Sequence, residues 1–140
     1  MKRQVLLDTG PLVAMINRRD SLHAWTTEQL ARLEPPFLTC EPVLSESCFL
    51  LRRVPGGVRA VMELVIPRTI KVSFGLDEET VPVAELLARY GDVPMSLADA
   101  CLVRMAELYD SSVVLTFDSD FKVYRKNRRQ IIPIIMPDDA

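Results

Sequence analysis

Val5, Leu6 and Leu7 form an aliphatic run that ends abruptly in Asp8, Thr9, Gly10 and Pro11. Three consecutive apolar side chains read as a buried strand at the centre of a sheet. Gly10 and Pro11 then break the strand and start a helix, since proline is tolerated in a first helical turn. Asp8 therefore stands at the carboxyl end of a central strand, facing the crevice in which open α/β sheets bind their ligands. An aspartate here also suits the cap of the following helix, and this stretch by itself leaves both roles open.

The rest of the chain reads as strands interleaved with helices. Helices are expected over 11–17 and 21–33, the second capped by Asp20 or Ser21 and stopped by Pro35 and Pro36. A strand follows over 37–40, then a helix over 41–53 with Pro42 in its first turn. Pro55, Gly56 and Gly57 turn the chain into a helix over 58–66, ended by Pro67. A strand over 69–74, helices over 78–90 and 96–109, a strand over 113–117, a short turn-rich helix and a last strand over 131–136 complete the pattern. Such alternation implies right-handed crossovers and an α/β fold, a three-layer α/β/α sandwich around a central, mostly parallel sheet. No repeat, low-complexity tract or linker divides the chain, so residues 1–140 are expected to form one domain.

Composition narrows the class mainly by exclusion. The formal charge is −2, which by itself advertises neither nucleic acid nor membrane. Setting four acids aside around a metal would leave 15 acidic against 17 basic residues on the remaining surface. Met1, Lys2 and Arg3 resemble the start of an export signal, but Asp8 interrupts the apolar region and no small-residue cleavage site follows. No apolar stretch is long enough to span a membrane. Cys40, Cys48 and Cys101 are odd in number and lie in apolar surroundings, which fits reduced core residues in the cytoplasm.

Three further acids belong with Asp8. Glu46 falls at the border of the apolar arc of its helix, beside Leu50, where it is either a solvated surface residue or one that reaches into a crevice. Asp99 projects between Leu102, Val103 and Ala106, away from the solvated side marked by Arg104 and Glu107. Ser96 and Asp99 have capping-box spacing, yet a carboxylate on an apolar side also needs a partner or a cation. Asp118 repeats the logic of Asp8, an aspartate just past an aliphatic strand, and Asp120 follows; both are also ordinary turn formers. If the two strands are neighbours at the switch point of the sheet, Asp8 and Asp118 lie side by side, with Thr9 and Thr116 adding hydroxyls.

Converging carboxylates without a lysine repel one another, at about 4 kcal/mol per pair at 4 Å and an effective dielectric near 20. A divalent cation removes that cost. An all-oxygen set, far in sequence from His23 and from any cysteine, favours Mg²⁺ or Mn²⁺ over zinc. These ions suit phosphodiester hydrolysis by an activated water.

Asp8, Thr9 and Gly10 after a strand, Glu46 in a helix, the Ser96–Ala100 segment and the segment from Thr116 to Phe121 together resemble the PIN domain family, in its order and over nearly the whole chain. The length is similar to that of VapC-type toxins. The resemblance implies a Mg²⁺- or Mn²⁺-dependent ribonuclease in which Asp8, Glu46, Asp99 and Asp118 are catalytic, metal-binding acids. Asp120 would be an auxiliary ligand, with Thr9 and Thr116 supporting. It also implies a homodimer held in check by a small antitoxin protein. His23 falls where family members often carry a histidine, and the sequence offers it only packing or capping.

Lys122, Arg125, Lys126, Arg128 and Arg129 form the one dense basic cluster. They read either as a solvated loop or as a rail that holds the RNA backbone, with Lys122, Arg125 and Lys126 nearest the acidic turn. A dehalogenase-type phosphatase would want an acid at position 10, which is glycine, and a receiver domain would want paired acids and a late lysine. The stronger rival is an inert PIN fold that binds RNA or protein without turnover.

Overall fold

The computed structural model describes residues 3–138. The chain runs through β1 (Gln4–Leu7), α1 (Thr9–Ile16), α2 (His23–Ala31), β2 (Phe37–Thr39), α3 (Glu41–Leu50) and α4 (Gly57–Val65). It continues through β3 (Ile70–Val72), α5 (Leu76–Arg89), α6 (Leu97–Leu108) and β4 (Ser112–Leu115). A 3₁₀ turn (Ser119–Lys122) then leads into β5 (Arg125–Lys126), β6 (Gln130–Ile131) and β7 (Ile134–Ile135).

Five strands form one parallel sheet in the order β3-β2-β1-β4-β7. The chain builds outward from β1 through β2 to β3, then returns to place β4 on the other side of β1. The switch point therefore lies between β1 and β4, where such sheets open a crevice above their carboxyl ends.

Alternation along the strands separates two apolar layers. Val5 and Leu7 pack with Leu12, Phe37, Val61, Val113 and Leu115 on one face. Leu6, Leu38 and Val114 pack with Leu102, Val103 and Met105 on the other. Both faces are covered by helices, as the aliphatic runs require, and the result is the expected α/β/α sandwich. Leu6 and Leu7 are fully buried, and truncating either to alanine would cost roughly 2–5 kcal/mol. α3 touches both layers, giving Val43 to one and Leu44 and Cys48 to the other, so it lies across the edge of the crevice. Cys40 and Cys101 are buried and Cys48 is half-buried, all three as free thiols.

β3 and β4 each end two residues earlier than expected, and three elements depart further from the sequence. The helix expected over 41–53 stops at Leu50, where Arg52 donates to the Phe49 carbonyl at 2.7 Å and closes the end. α5 begins two residues earlier than expected and is kinked at Glu79, because Pro82 has no N–H to give the turn before it. The single strand expected over 131–136 is in fact divided. Gln130 and Ile131 pair antiparallel with β5 in a separate ribbon, while Ile134 and Ile135 join the main sheet beyond Pro133. Proline cannot donate to a ladder, so the break falls there. Asn127 and Arg128, at φ of 51° and 72°, turn the ribbon.

Candidate active site

The first strand ends and the first helix begins at Asp8, and its carboxylate serves both. Oδ1 accepts the Thr9 N–H at 2.8 Å, capping α1, while Oδ2 accepts the Thr116 hydroxyl at 2.6 Å. The same hydroxyl oxygen accepts the Asp118 N–H at 2.9 Å. One threonine just past β4 thus joins the two strand ends across the switch point. Asp118 in turn caps the 3₁₀ turn by accepting the Asp120 N–H at 2.9 Å.

Gly10 makes room for this junction. A Cβ there would lie 2.7 Å from Cδ2 of Phe117. Phe117 itself meets Trp25 edge to face, with ring centroids 5.9 Å apart. His23 sits away from the acids. Its Nδ1 donates to the Ala14 carbonyl at 2.7 Å and ties α2 to α1.

Asp99 enters from the other layer. The Ser96 hydroxyl accepts the Asp99 N–H at 3.0 Å, the capping-box contact expected from spacing. The carboxylate also accepts the hydroxyl of Tyr124 at 2.8 Å. Tyr124 is fully buried and held edge to face between Tyr90 and Phe121. The sequence reading passed over this tyrosine. Its one signal is an aromatic residue set among lysines and arginines, and only the fold brings it to Asp99.

Asp8, Glu46, Asp99, Asp118 and Asp120 line a single cavity of about 440 Å³, with Thr9 and Ser96 among its other walls. Asp8 and Asp99 are buried, 7% and 8% exposed, whereas Glu46 stands exposed at the mouth. Among the described residues, no lysine, arginine or histidine lines it. Burial pushes the Asp8 carboxyl up to about 6, against the hydrogen bonds from Thr116 and Thr9 that favour its charged form. Burial likewise pushes Asp99 up, opposed by Tyr124 and Ser96, and the charge of Asp118 adds to the rise.

The cavity is therefore short of positive charge. Its donors are hard carboxylate oxygens of the kind Mg²⁺ and Mn²⁺ take. Thr9 Oγ1 is buried beside them without a hydrogen-bond partner among the described residues. The residues present fit a divalent ion in these respects. Among the described residues, however, no three acidic, histidine or cysteine side chains already stand as a metal-holding group. The carboxylates are gathered on one cavity rather than closed around a point.

The basic cluster is scattered. Lys122 is exposed on the 3₁₀ turn. Nη1 of Arg125 donates to the backbone carbonyls of Lys122, Val123 and Tyr124. Lys126 is buried, with Nζ 3.4 Å from the Asp110 carbonyl. Its expected place on a phosphate rail is therefore corrected: strand alternation in β5 turns its side chain inward, under the ribbon.

A model of the PIN domain matches residues 5–127. Among solved structures, VapC20 of Mycobacterium tuberculosis, described as a toxin cleaving the sarcin-ricin loop, has a similar fold. It is 24% identical, with a TM-score of 0.72, over 93% of this chain and 100% of that one. No curated protein matches the sequence. The family match takes in Asp8, Glu46, Asp99, Asp118 and Asp120 together with the strands and helices that bring them to one cavity, and the chain belongs to the PIN domain family.

Proposed function

We propose that this chain is a Mg²⁺- or Mn²⁺-dependent endoribonuclease, hydrolysing RNA phosphodiester bonds as the toxin of a toxin–antitoxin pair. The observation that carries the reading is the convergence of five carboxylates, with no cationic side chain among the described residues, on one cavity at the switch point of the sheet. Asp8, Asp99 and Asp118 would hold the ion from the floor, with Glu46 at the mouth and Asp120 auxiliary. When bound, the ion supplies an activated water and steadies charge on the phosphate oxygens.

The chain's own residues prepare the site. Thr116 fixes the Asp8 carboxylate against the Asp118 backbone, and Tyr124 fixes that of Asp99. Neither hydroxyl cancels charge, so both orient a carboxylate without competing for its negative charge. Glu46, on the solvent side, is placed to meet a substrate as it enters. Lys122 would hold a phosphate beside Asp120, with Arg125 contributing charge from a guanidinium anchored to carbonyls.

The toxin reading draws on the likeness to VapC20, and with it come a homodimer and an antitoxin partner. Phe49, Leu50, Val58, Met62 and Ile66 leave an exposed apolar face on and beside α3 and α4, suited to such a partner. An arginine or lysine from the antitoxin would satisfy the acids in place of metal. RNA cleavage and free thiols are consistent with a cytoplasmic setting, and no helix among the described residues is long and apolar enough to cross a membrane.

A second reading, an inert PIN fold that binds RNA or protein, is favoured by the absence of a closed three-carboxylate group among the described residues. Incubation of single-stranded RNA with the protein in Mg²⁺ or Mn²⁺, with and without excess chelator, separates the two. Cleavage that stops on chelation and is missing in Asp8→Asn supports the nuclease. RNA bound but never cut in either ion would sink it. Induction in a bacterial host tests the toxin role, which predicts growth arrest that needs Asp8.

A further inference from the structure

A second cavity, of about 510 Å³, lies between the residues that follow α1 and those that follow α3. Arg18, Arg19 and Arg53 line it together with Ile16, Val54 and Pro55, and no carboxylate among the described residues does. All three arginines are exposed, and their guanidinium groups form no hydrogen bond or ion pair among the described residues. Their neighbour Arg52 is occupied quite differently, stacked 3.9 Å over the Phe49 ring and donating to the Phe49 carbonyl. Helix capping thus accounts for Arg52 and leaves Arg53 without such a role. Three like charges gathered on one concavity repel one another unless an anion joins them. The apolar residues beside them suit the face of a base.

The position of this cavity ties it to the acidic one. Gly10 and Glu46 line the acidic cavity, and the helices that carry them, α1 and α3, lead to the arginines. Gly10, at the acidic cavity, and Ile16, at the arginine-lined one, both lie within α1, six residues and about 9 Å apart at helical rise. A stacked strand covers that in about three nucleotides.

Building on the ribonuclease reading, we propose that the arginine-lined cavity is a second RNA subsite. It grips the phosphates, and one base, of a single-stranded segment about three nucleotides from the bond at the acids. It gives the protein a minimum substrate length and a share of its affinity that carries no sequence information. The occupant is RNA because the three guanidinium groups complement phosphates, and a strand whose scissile phosphate lies at the carboxylates would bring its neighbouring phosphates along α1 to them.

The test uses Asp8→Asn as background, so that RNA survives, and compares it with the same protein also carrying Arg18→Gln, Arg19→Gln and Arg53→Gln. All three sites are exposed, which leaves the fold in place. Binding of labelled single-stranded RNA of about three and about twelve nucleotides is measured across salt concentrations. Loss of three phosphate contacts should lower the salt slope by about 2, so that a fourfold rise in salt costs the parent about 20-fold more affinity than the variant. The preference for the longer RNA should shrink with it. The corresponding triple lysine variant should recover the slope, since charge sets that term, but only part of the affinity, since Arg stacks and lysine does not.

An unchanged slope and length preference in the glutamine variant would overturn the subsite while leaving the nuclease untouched. Unchanged RNA binding together with arginine-dependent capture of a polyglutamate probe would reassign the cavity to an acidic protein segment. Failure of the proteins with Asp8 intact to cut any RNA in Mg²⁺ or Mn²⁺ would instead remove the nuclease reading and the scissile end of the strand with it.

Discussion

The acidic cavity and the basic run behind it are built in opposite ways. Asp8, Glu46, Asp99 and Asp118 are dispersed over most of the chain and meet on one cavity. Lys122, Arg125, Lys126, Arg128 and Arg129 are packed into eight residues and part company. Lys126 goes inward to the Asp110 carbonyl, Arg125 turns onto its own backbone, and Asn127 just after them donates its N–H to Glu107 at 2.7 Å. Asp8, Asp99 and Asp118 converge because strand ends and helix starts are fixed places in a parallel sheet, and Glu46 joins them from the middle of α3. The bases diverge because a twisted ribbon sends successive side chains to opposite faces. Nearness in sequence is a poor guide to a shared surface unless the local structure keeps the residues on one side.

The largest expected effect breaks the acidic side of this contrast. Asp8→Asn and Asp99→Asn should each reduce Mg²⁺-dependent RNA cleavage by about 1,000-fold or more, because each removes charge that would hold the ion. Rates on a labelled RNA, corrected for a mock purification, check this. A variant within tenfold of wild type would take that residue out of the site.

The next concerns stability in metal-free protein. Asp8 rises from its ordinary 3.8 to about 6 on folding, so between those values the native state holds the proton more tightly. Its contribution is fully favourable below about pH 4 and is lost as pH rises through about 6, by roughly 3 kcal/mol in all. Asp8→Asn should remove this slope and be the more stable protein near neutrality, with chelator present. The amide can still accept the Thr9 N–H and donate to Thr116. Urea unfolding of both proteins across this range is the measurement, and parallel curves would refute it. Saturation of the wild type with metal at about 100 times its dissociation constant should restore about 2.7 kcal/mol.

Tyr124→Phe sharpens the comparison, since Tyr124 comes from within the basic run yet serves the acids. Loss of its hydroxyl should lower metal affinity and cleavage by about 10- to 100-fold while the fold persists. A thermal shift titrated with Mn²⁺ separates lost orientation of Asp99 from lost stability. Unchanged metal response with reduced stability would make Tyr124 a packing residue only.

The smallest effect separates two lysines four residues apart. Lys122→Gln should flatten the salt dependence of RNA binding by about 0.7 in slope, with stability unchanged. Lys126→Gln should do the reverse, costing about 1 kcal/mol of stability and leaving the slope alone. If both shift the slope equally, the ribbon opens in solution and the contrast between the two regions fails.

Some of this is legible in the amino-acid sequence. Val5–Leu7 and the aliphatic run before Thr116 announced buried parallel strands, since only a strand covered on both faces tolerates such continuity. The apolar flank of Asp99 marks a carboxylate facing something other than solvent, whereas the border position of Glu46 leaves it open between solvent and crevice, and the structure has it exposed at the cavity mouth. Ser96 and Asp99 read correctly as a cap. The last strand was misread because Ile131, Ile132, Ile134 and Ile135 look continuous, and the effect of Pro133 on the ladder depends on which edge it meets.

The sequence by itself determined the alternation of elements and the placing of Asp8, Asp99 and Asp118 at their ends, because apolar period and helix-start chemistry are local properties. Only the tertiary structure decided which ends are neighbours. It set β4 beside β1, so that Thr116 bridges Asp8 and Asp118. It also brought Tyr124 under Asp99, buried Lys126, and gathered Arg18, Arg19 and Arg53 around one cavity. Each of these rests on strand order, ribbon pairing or helix packing, which depend on contacts between segments remote in the chain and leave no mark on the residues nearby.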